Sequence, residues 1–246
     1  MQTVQTLPSS YNPVVAHRGA WKASGLPENS LASLKKAIEL DCAGSETDLH
    51  MTADSMIVIH HDPKFNGLEI QKTDLSELHQ FKLSNGESLP LLSDFLKIIK
   101  AQKRTMLVLE IKPSRRGKEW AMATVKKVVD EVNLYNAQSH IIYISFDLEM
   151  CKEVLRLVPG AKVQYLNGDR TPAQLKEEKI TGLDYNLSVF KKHPEYITDA
   201  KKLGLILDAW TVNDFNGMQW LIKNGFDYIT TNEPELLFEI VNKTRD

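Results

Sequence analysis

Eight apolar stretches of strand length alternate with helical patterns along this chain, and polar or ionisable residues stand at the C-terminal end of nearly every stretch. The length, 246 residues, is close to the roughly 250 that a closed (β/α)8 barrel takes. These observations predict an α/β protein with the TIM-barrel fold. The whole chain, 1–246, is expected to form one domain with a small insertion at about 63–90, after the second strand. The chain has no Gly-x-Gly-x-x-Gly or Walker-type loop of the kind an open nucleotide-binding sheet carries.

The first strand, Val14-Val15-Ala16, ends at His17-Arg18-Gly19. Leu31, Leu34 and Ile38 then recur at helical spacing, with Asn29 or Ser30 as the residue that caps the helix. A second strand, about Ala43 to Leu49, carries Glu46 and Asp48, and Asp54-Ser55 turns the chain into a hairpin strand at Met56–Ile59 that stands outside the eight. Between Pro63 and Pro90 the pattern is irregular, with turns at Asn66-Gly67 and Asn85-Gly86 and one short helix at Leu75–Phe81. Leu92, Phe95, Leu96 and Ile99 share one helical face. Strands at 106–110 and 140–145 are followed by helices at 120–132 and 147–157, the latter capped by Asp147. Strands at 162–165 and 182–185 precede helices from Pro172 and from about Pro194 to Leu203. The last two units pair strands at 205–210 and 227–230 with helices at 215–224, stopped by Gly225, and 234–241.

A hydrophobic content of 42% with 25% charged residues is that of a globular protein, and the net charge of −2 argues against a nucleic-acid or membrane-surface binder. Any anion must therefore be met by local charge. Cys42 and Cys151, the two cysteines, lack metal-type spacing and read as small core residues. No run is long enough to insert stably in a membrane, and the polar stretch Met1–Ser10 does not read as a signal peptide. The expectation is a soluble protein, either cytoplasmic or exported after loss of a leader.

Residues two apart on a strand share a face, which sets Glu46 and Asp48 roughly 6.5 Å apart. Two carboxylates so placed favour a hard divalent cation, Ca²⁺ or Mg²⁺, between them. In barrels of this kind chemistry collects at the C-terminal strand ends. Those ends here are His17 and Arg18, Glu46 and Asp48, Glu110 and Lys112, Ser145, Tyr165, Trp210 and Asn213, and Thr231 and Asn232. His60 and His61 must point to opposite faces, so one of them faces the site. His50 shares the face of Asp48 and reads as a solvated strand end. Trp210 is a candidate wall for a substrate, and Phe146 and Tyr165 are candidates for shaping a leaving-group pocket.

The segments His17-Arg18-Gly19, Pro27-Glu28-Asn29-Ser30, Glu46-Thr47-Asp48, His61-Asp62, Glu110-Ile111-Lys112, Trp210-Thr211-Val212-Asn213 and Asp227 to Pro234 resemble, in order, those of glycerophosphodiester phosphodiesterases. The resemblance spans about residues 13 to 240. It implies a barrel enzyme that splits glycerophosphodiesters into glycerol 3-phosphate and an alcohol. Carried over residue by residue, it makes Glu46, Asp48 and Glu110 the ligands of one divalent cation and His17 and His61 the acid–base pair. Arg18 and Lys112 would hold phosphate oxygens, with Glu28 and Asn29 close to the site in a supporting role and Glu28 counted with the substrate-binding residues. The chemistry agrees, because a phosphodiester gains negative charge on attack and needs cations and donors at its oxygens. His60 stands where the family more often has an apolar residue. Rival readings are a phospholipase-type hydrolase, which would need exposed apolar loops, a metal-dependent C–N hydrolase with a His-x-His pair, and a non-catalytic binding barrel.

Overall fold

The computed structural model describes residue 8 and residues 10–245, so the polar N-terminal stretch read above lies almost entirely outside the described residues. Eight parallel strands form the barrel, and each reads as a short apolar run because both of its faces are covered. They are β1 (Val14–Ala16), β2 (Gly44–Met51), β6 (Met106–Ile111), β7 (Ile141–Ser145), β8 (Val163–Tyr165), β9 (Gly182–Asn186), β10 (Ile206–Trp210) and β11 (Ile229–Thr231). Their order in the sheet is β10-β9-β8-β7-β6-β2-β1-β11. The seam between β10 and β11 lacks a registered ladder, yet the Val212 N–H donates to the Thr230 carbonyl at 3.0 Å and the Tyr228 N–H to that of Leu207 at 3.1 Å. The barrel is nearly closed.

Helices cover the outside: α1 (Leu31–Glu39), α3 (Leu92–Lys100), α4 (Lys118–Leu134), α5 (Leu148–Leu157), α6 (Pro172–Glu177), α8 (Glu195–Leu203), α9 (Phe215–Lys223) and α10 (Pro234–Arg245). Ser30, rather than Asn29, caps α1 through its side chain, and Asp147 caps α5. On α3 the predicted face is buried, with Leu92, Phe95, Leu96 and Ile99 each removed from water. Burying a side chain of this size contributes roughly 1.5–3 kcal/mol. A short helix, α7 (Leu187–Lys192), stands between β9 and α8, where the sequence pattern gave no separate element. Cys42 and Cys151 are buried and unpaired, as small core residues would be.

Period-two alternation divides the strand residues between two cores. Val14, Leu107, Leu109, Tyr143, Leu183, Leu207 and Ile229 face the helices. Val15, Val108, Ile142, Ile144 and Leu166 fill the lumen. Glu46, two residues beyond lumen-facing Gly44, and Glu110, two beyond Val108, continue that inner face toward the C-terminal rim.

The hairpin strand β3 (Ile57–Ile59) pairs antiparallel with the far end of β2. Residues 63–90 then pack around a satellite core of Val58, Phe65, Ile70, Leu78 and Leu89. Within them β4 (Lys64–Phe65) and β5 (Leu68–Glu69) form a hairpin whose turn residues Asn66 and Gly67 have positive φ, and α2 (Leu75–Leu78) follows. The segment is tied to the barrel by Glu87, whose carboxylate accepts from the Leu31 and Ala32 N–H groups at 2.8 and 3.2 Å. These are orphan donors of the first turn of α1, at the end where a negative charge is favoured.

Candidate active site at the barrel rim

The turn after β1 presents the first two site residues. Arg18, Gly19 and Asn29 all have positive φ, at 57°, 81° and 53°. A side chain at Gly19 would come within 2.7 Å of Ser33 backbone and side-chain atoms, so only glycine fits. The Arg18 carbonyl accepts from the Asn29 N–H at 2.9 Å and the Ser33 hydroxyl at 3.1 Å, which holds the turn against α1. Glu28 grips the Arg18 guanidinium through both carboxylate oxygens, at 2.9 and 3.0 Å. Glu28 therefore reaches the site through Arg18.

Glu46, Asp48 and Glu110 converge across the β2–β6 ladder, each offering an oxygen within 4.8 Å of the other two. All three are buried. Asp48 is the best supported of them. Asn29 donates to its Oδ2 at 2.7 Å, Lys112 Nζ lies 2.7 Å from its Oδ1, and Arg18 Nε is 3.5 Å from Oδ2. Burial works against its charge, but Lys112 and these hydrogen bonds prevail and hold Asp48 down at about 2. Glu110 shares the Lys112 ammonium at 2.7 Å, yet burial and the Asp48 charge push it up to about 7. Burial, then Asp48 and Glu110, push Glu46 well above the carboxylate range.

Glu46 Oε2 accepts from the Arg18 N–H at 2.9 Å, whereas Oε1 is buried without a hydrogen-bond partner. A buried carboxylate oxygen left without a donor is costly. Three hard oxygen donors at this spacing suit an ion that binds carboxylates at about 2.0–2.6 Å. The donor set fits a divalent cation.

The two histidines open onto the same pocket, together with Arg18, Glu46, Glu110, Lys112, Ile144, Phe146, Leu166, Asp184, Trp210, Thr211 and Thr230. They line an open cleft of about 130 Å³ at the rim. His17 Nδ1 lies 2.8 Å from Asn232 Oδ1, which places the proton on Nδ1 and the lone pair on Nε2, 3.9 Å from Glu46 Oε2. Asn232 is itself positioned by its N–H donating to Asn213 Oδ1 at 2.8 Å. Burial and the Arg18 charge push His17 down to about 4, against the Asn232 hydrogen bond. His61 Nδ1 pairs with Asp62 Oδ1 at 2.8 Å.

His60 turns away, bonded to the Lys64 carbonyl at 3.1 Å and packed edge-on against Phe65. His50 is not a solvated strand end. β2 runs on to Met51 beneath β3, so His50 is buried with Nε2 3.3 Å from the His61 carbonyl. Tyr165 faces the helices rather than the pocket, with its hydroxyl donating to Asp169 at 2.9 Å. Trp210 is fixed by its indole N–H donating to the Asp184 carbonyl at 2.9 Å and by an edge-on contact with Phe146.

Two buried acids escaped the sequence reading. Asp184 and Asp208 stand in register on β9 and β10, both 1% exposed. Burial and Asp208 push Asp184 well above the carboxylate range, and burial pushes Asp208 up to about 7. The available signal was a lone acid inside an apolar strand, Leu183-Asp184-Tyr185 and Leu207-Asp208-Ala209.

Comparison with known proteins identifies the family. A relative named glycerophosphodiester phosphodiesterase from Caldanaerobacter subterraneus subsp. tengcongensis is 29% identical over 245 residues, covering 94% of this chain and 98% of its own. The crystal structure of a glycerophosphodiester phosphodiesterase from Parabacteroides distasonis superposes with a TM-score of 0.93 at 39% identity, over 96% of this chain and 99% of that one. An Oleispira antarctica phosphodiesterase, solved in complex with the product sn-glycerol-3-phosphate, shares the fold with a TM-score of 0.82 at 24% identity, over 95% and 98% of the two chains. The model of the glycerophosphoryl diester phosphodiesterase family matches residues 17–236, nearly the full length, and the chain belongs to that family.

Proposed function

We propose that this phosphodiesterase hydrolyses water-soluble glycerophosphodiesters to glycerol 3-phosphate and an alcohol, using one divalent cation, Ca²⁺ or Mg²⁺, and the pair His17 and His61. The observation that carries the reading is that Glu46 and Glu110 line one pocket with both histidines, Arg18 and Lys112, while Asp48 offers an oxygen within 4.8 Å of the other two acids. Glu46, Asp48 and Glu110 would hold the ion, which when bound offsets charge on the phosphate oxygens and lowers the pKa of a coordinated hydroxyl. The Arg18 guanidinium, braced by Glu28, and the Lys112 ammonium supply the remaining positive charge toward the phosphate.

His17, neutral and with its lone pair on Nε2, suits removal of a proton from the attacking hydroxyl. His61, supported on Nδ1 by Asp62, suits delivery of a proton to the departing alkoxide. Trp210 and Phe146 form an apolar wall for the carbon skeleton of the substrate. The reading treats the chain as one barrel domain with residues 63–90 as an insertion.

A small substrate is favoured over a lipid because the exposed large apolar side chains among the described residues are Leu134 and Phe215, which do not form a patch. Leu134 ends α4, and Phe215 begins α9, so the two lie at opposite ends of the barrel. No helix among the described residues is long and apolar enough to cross a membrane. The test is release of glycerol 3-phosphate from glycerophosphocholine by protein stripped with a chelator and then resupplied with Ca²⁺ or Mg²⁺. Release that disappears on stripping and returns with the ion supports the reading. Absence of release with either ion, across choline, ethanolamine, serine and glycerol headgroups, contradicts it.

A further inference from the structure

Among the polar side chains that line the pocket, most already have a task in the proposed reaction. His17 and His61 move protons, Glu46 and Glu110 hold the ion, and Arg18 and Lys112 face the phosphate. Thr230 is committed to Asp208, to which its hydroxyl donates at 3.3 Å. Asp184 is different. Its carboxyl lines the pocket, the residue is 1% exposed, and the side chain makes no hydrogen bond among the described residues, with Oδ1 fully buried and unpartnered. The carboxyls that act on it, Asp208 in register on β10 and then Glu46 and Glu110, make no hydrogen bond to it. A buried carboxyl left in this state costs free energy that a ligand hydroxyl would recover.

The position says which hydroxyl. Asp184 lies one pleat below the strand end marked by Asn186, while His17 and Arg18 stand beyond the end of β1, at the rim. A phosphate gripped at the rim leaves the far end of the glycerol to reach inward. The adjacent hydroxyl stays near the phosphorus, and the terminal hydroxyl, one carbon further along the chain, is the one that can descend. Trp210 is held against the same strand through the Asp184 carbonyl, so an apolar face and an acceptor lie side by side, as a C–H and O–H surface requires.

We propose that Asp184 is the recognition residue for the terminal hydroxyl of the glycerol moiety, and so selects glycerol esters over esters of simpler diols. The proposal rests on the phosphodiesterase reading above.

The experiment compares kcat and KM for glycerophosphocholine and for 2-hydroxypropyl phosphocholine, which keeps the hydroxyl next to the phosphate and lacks the terminal one. It uses the full chain with Ca²⁺ and the variants Asp184→Ala and Asp184→Asn. A site built around a hydroxyl rejects the analogue lacking it by a large factor, so the parent protein is expected to prefer the glycerol ester by about 10²-fold or more in kcat/KM. In Asp184→Ala that preference collapses to within about threefold, with the loss falling on the glycerol ester. Asp184→Asn, which keeps a hydrogen-bonding oxygen and the same shape, falls to an intermediate preference of about tenfold. A merely structural role would lower both substrates together. The proposal is overturned if the parent protein does not discriminate, if Asp184→Ala keeps the parent ratio, or, where Asp184→Ala does not fold, if Asp184→Asn leaves the ratio unchanged or lowers both substrates equally. Hydrolysis of neither substrate by the parent protein defeats the reading beneath it instead.

Discussion

A carboxylate at the end of a strand gains a function only when its neighbours fix its orientation and balance its charge, and Asp48 takes its orientation from Asn29 and its charge balance from Lys112. Asn29 donates to Asp48 Oδ2 at 2.7 Å, and its own Oδ1 accepts from the Thr47 hydroxyl at 2.7 Å and the Asp48 N–H at 3.2 Å. Asn29 also sits at φ 53°, where asparagine is tolerated and alanine is not. Asn29→Ala is therefore predicted to weaken divalent-ion binding by about 10–100-fold, the usual cost of losing a group that orients a ligand. Calorimetric titration with Ca²⁺ checks this; unchanged affinity would remove Asn29 from the account. His17→Ala and His61→Ala should each lower kcat by about 10²–10⁴-fold while changing ion affinity little, which separates proton transfer from ion binding. Near-parental rates in either variant would reassign the acid–base pair. Period two at Glu46–Asp48 and Glu110–Lys112 and the opposite faces of His60 and His61 were readable as spacing, whereas the roles of His17, His61 and Glu110 came only with the family resemblance. Asp184 and Asp208 were not legible, because a single acid in an apolar strand has no partner in sequence to reveal it.

At the scale of elements, the strand-to-helix turns aim the site. The turn after β1 crosses α1 so closely that the Gly19 position has no room for a methyl group, and its φ of 81° disfavours any other residue. Gly19→Ala is expected to displace Ser33 or the turn, lowering stability by about 1–3 kcal/mol through backbone strain and overpacking. Because Arg18 is the preceding residue, kcat/KM should fall along with the melting temperature. A thermal melt and a substrate titration test the pair, and a variant that loses neither would show that the turn is free to shift. The helix stops and caps were readable, as Asp147 and Gly225 demonstrate, since each answers a local backbone need. The fate of His50 was not. It depends on β2 running two residues further and on β3 lying over it, a tertiary contact that local patterning does not encode.

For the whole molecule, eight apolar strands alternating with helices were enough to give the barrel, because parallel strands buried on both faces lose the polar alternation of exposed sheets. What the pattern did not reveal was the polar character of part of the lumen. Asp208, wholly inside it, is pushed by burial from 3.8 to about 7. A group whose pKa is raised on folding contributes stability that is fully present below its unfolded value, near 3.8, and is lost as pH rises through about 7. The protein should therefore grow less stable over that interval on account of this group, by a few kcal/mol at most at roughly 1.4 kcal/mol per pH unit. Asp208→Asn removes the dependence. Its melting temperature, relative to that of the parent protein, is predicted to be higher at pH 8 than at pH 4. An identical difference at both values would mean that Asp208 is not held protonated by the fold.

In the proposed reaction three acids, through one cation, and two histidines act at one phosphorus atom. The most direct measurement is a crystal structure of the protein soaked with Ca²⁺ and glycerol 3-phosphate. One ion is expected within about 2.6 Å of oxygens from Glu46, Asp48 and Glu110, with the phosphate between the His17 and His61 rings and touching Arg18. An ion bound away from these acids, or a phosphate seated outside the space between the two rings, would contradict it.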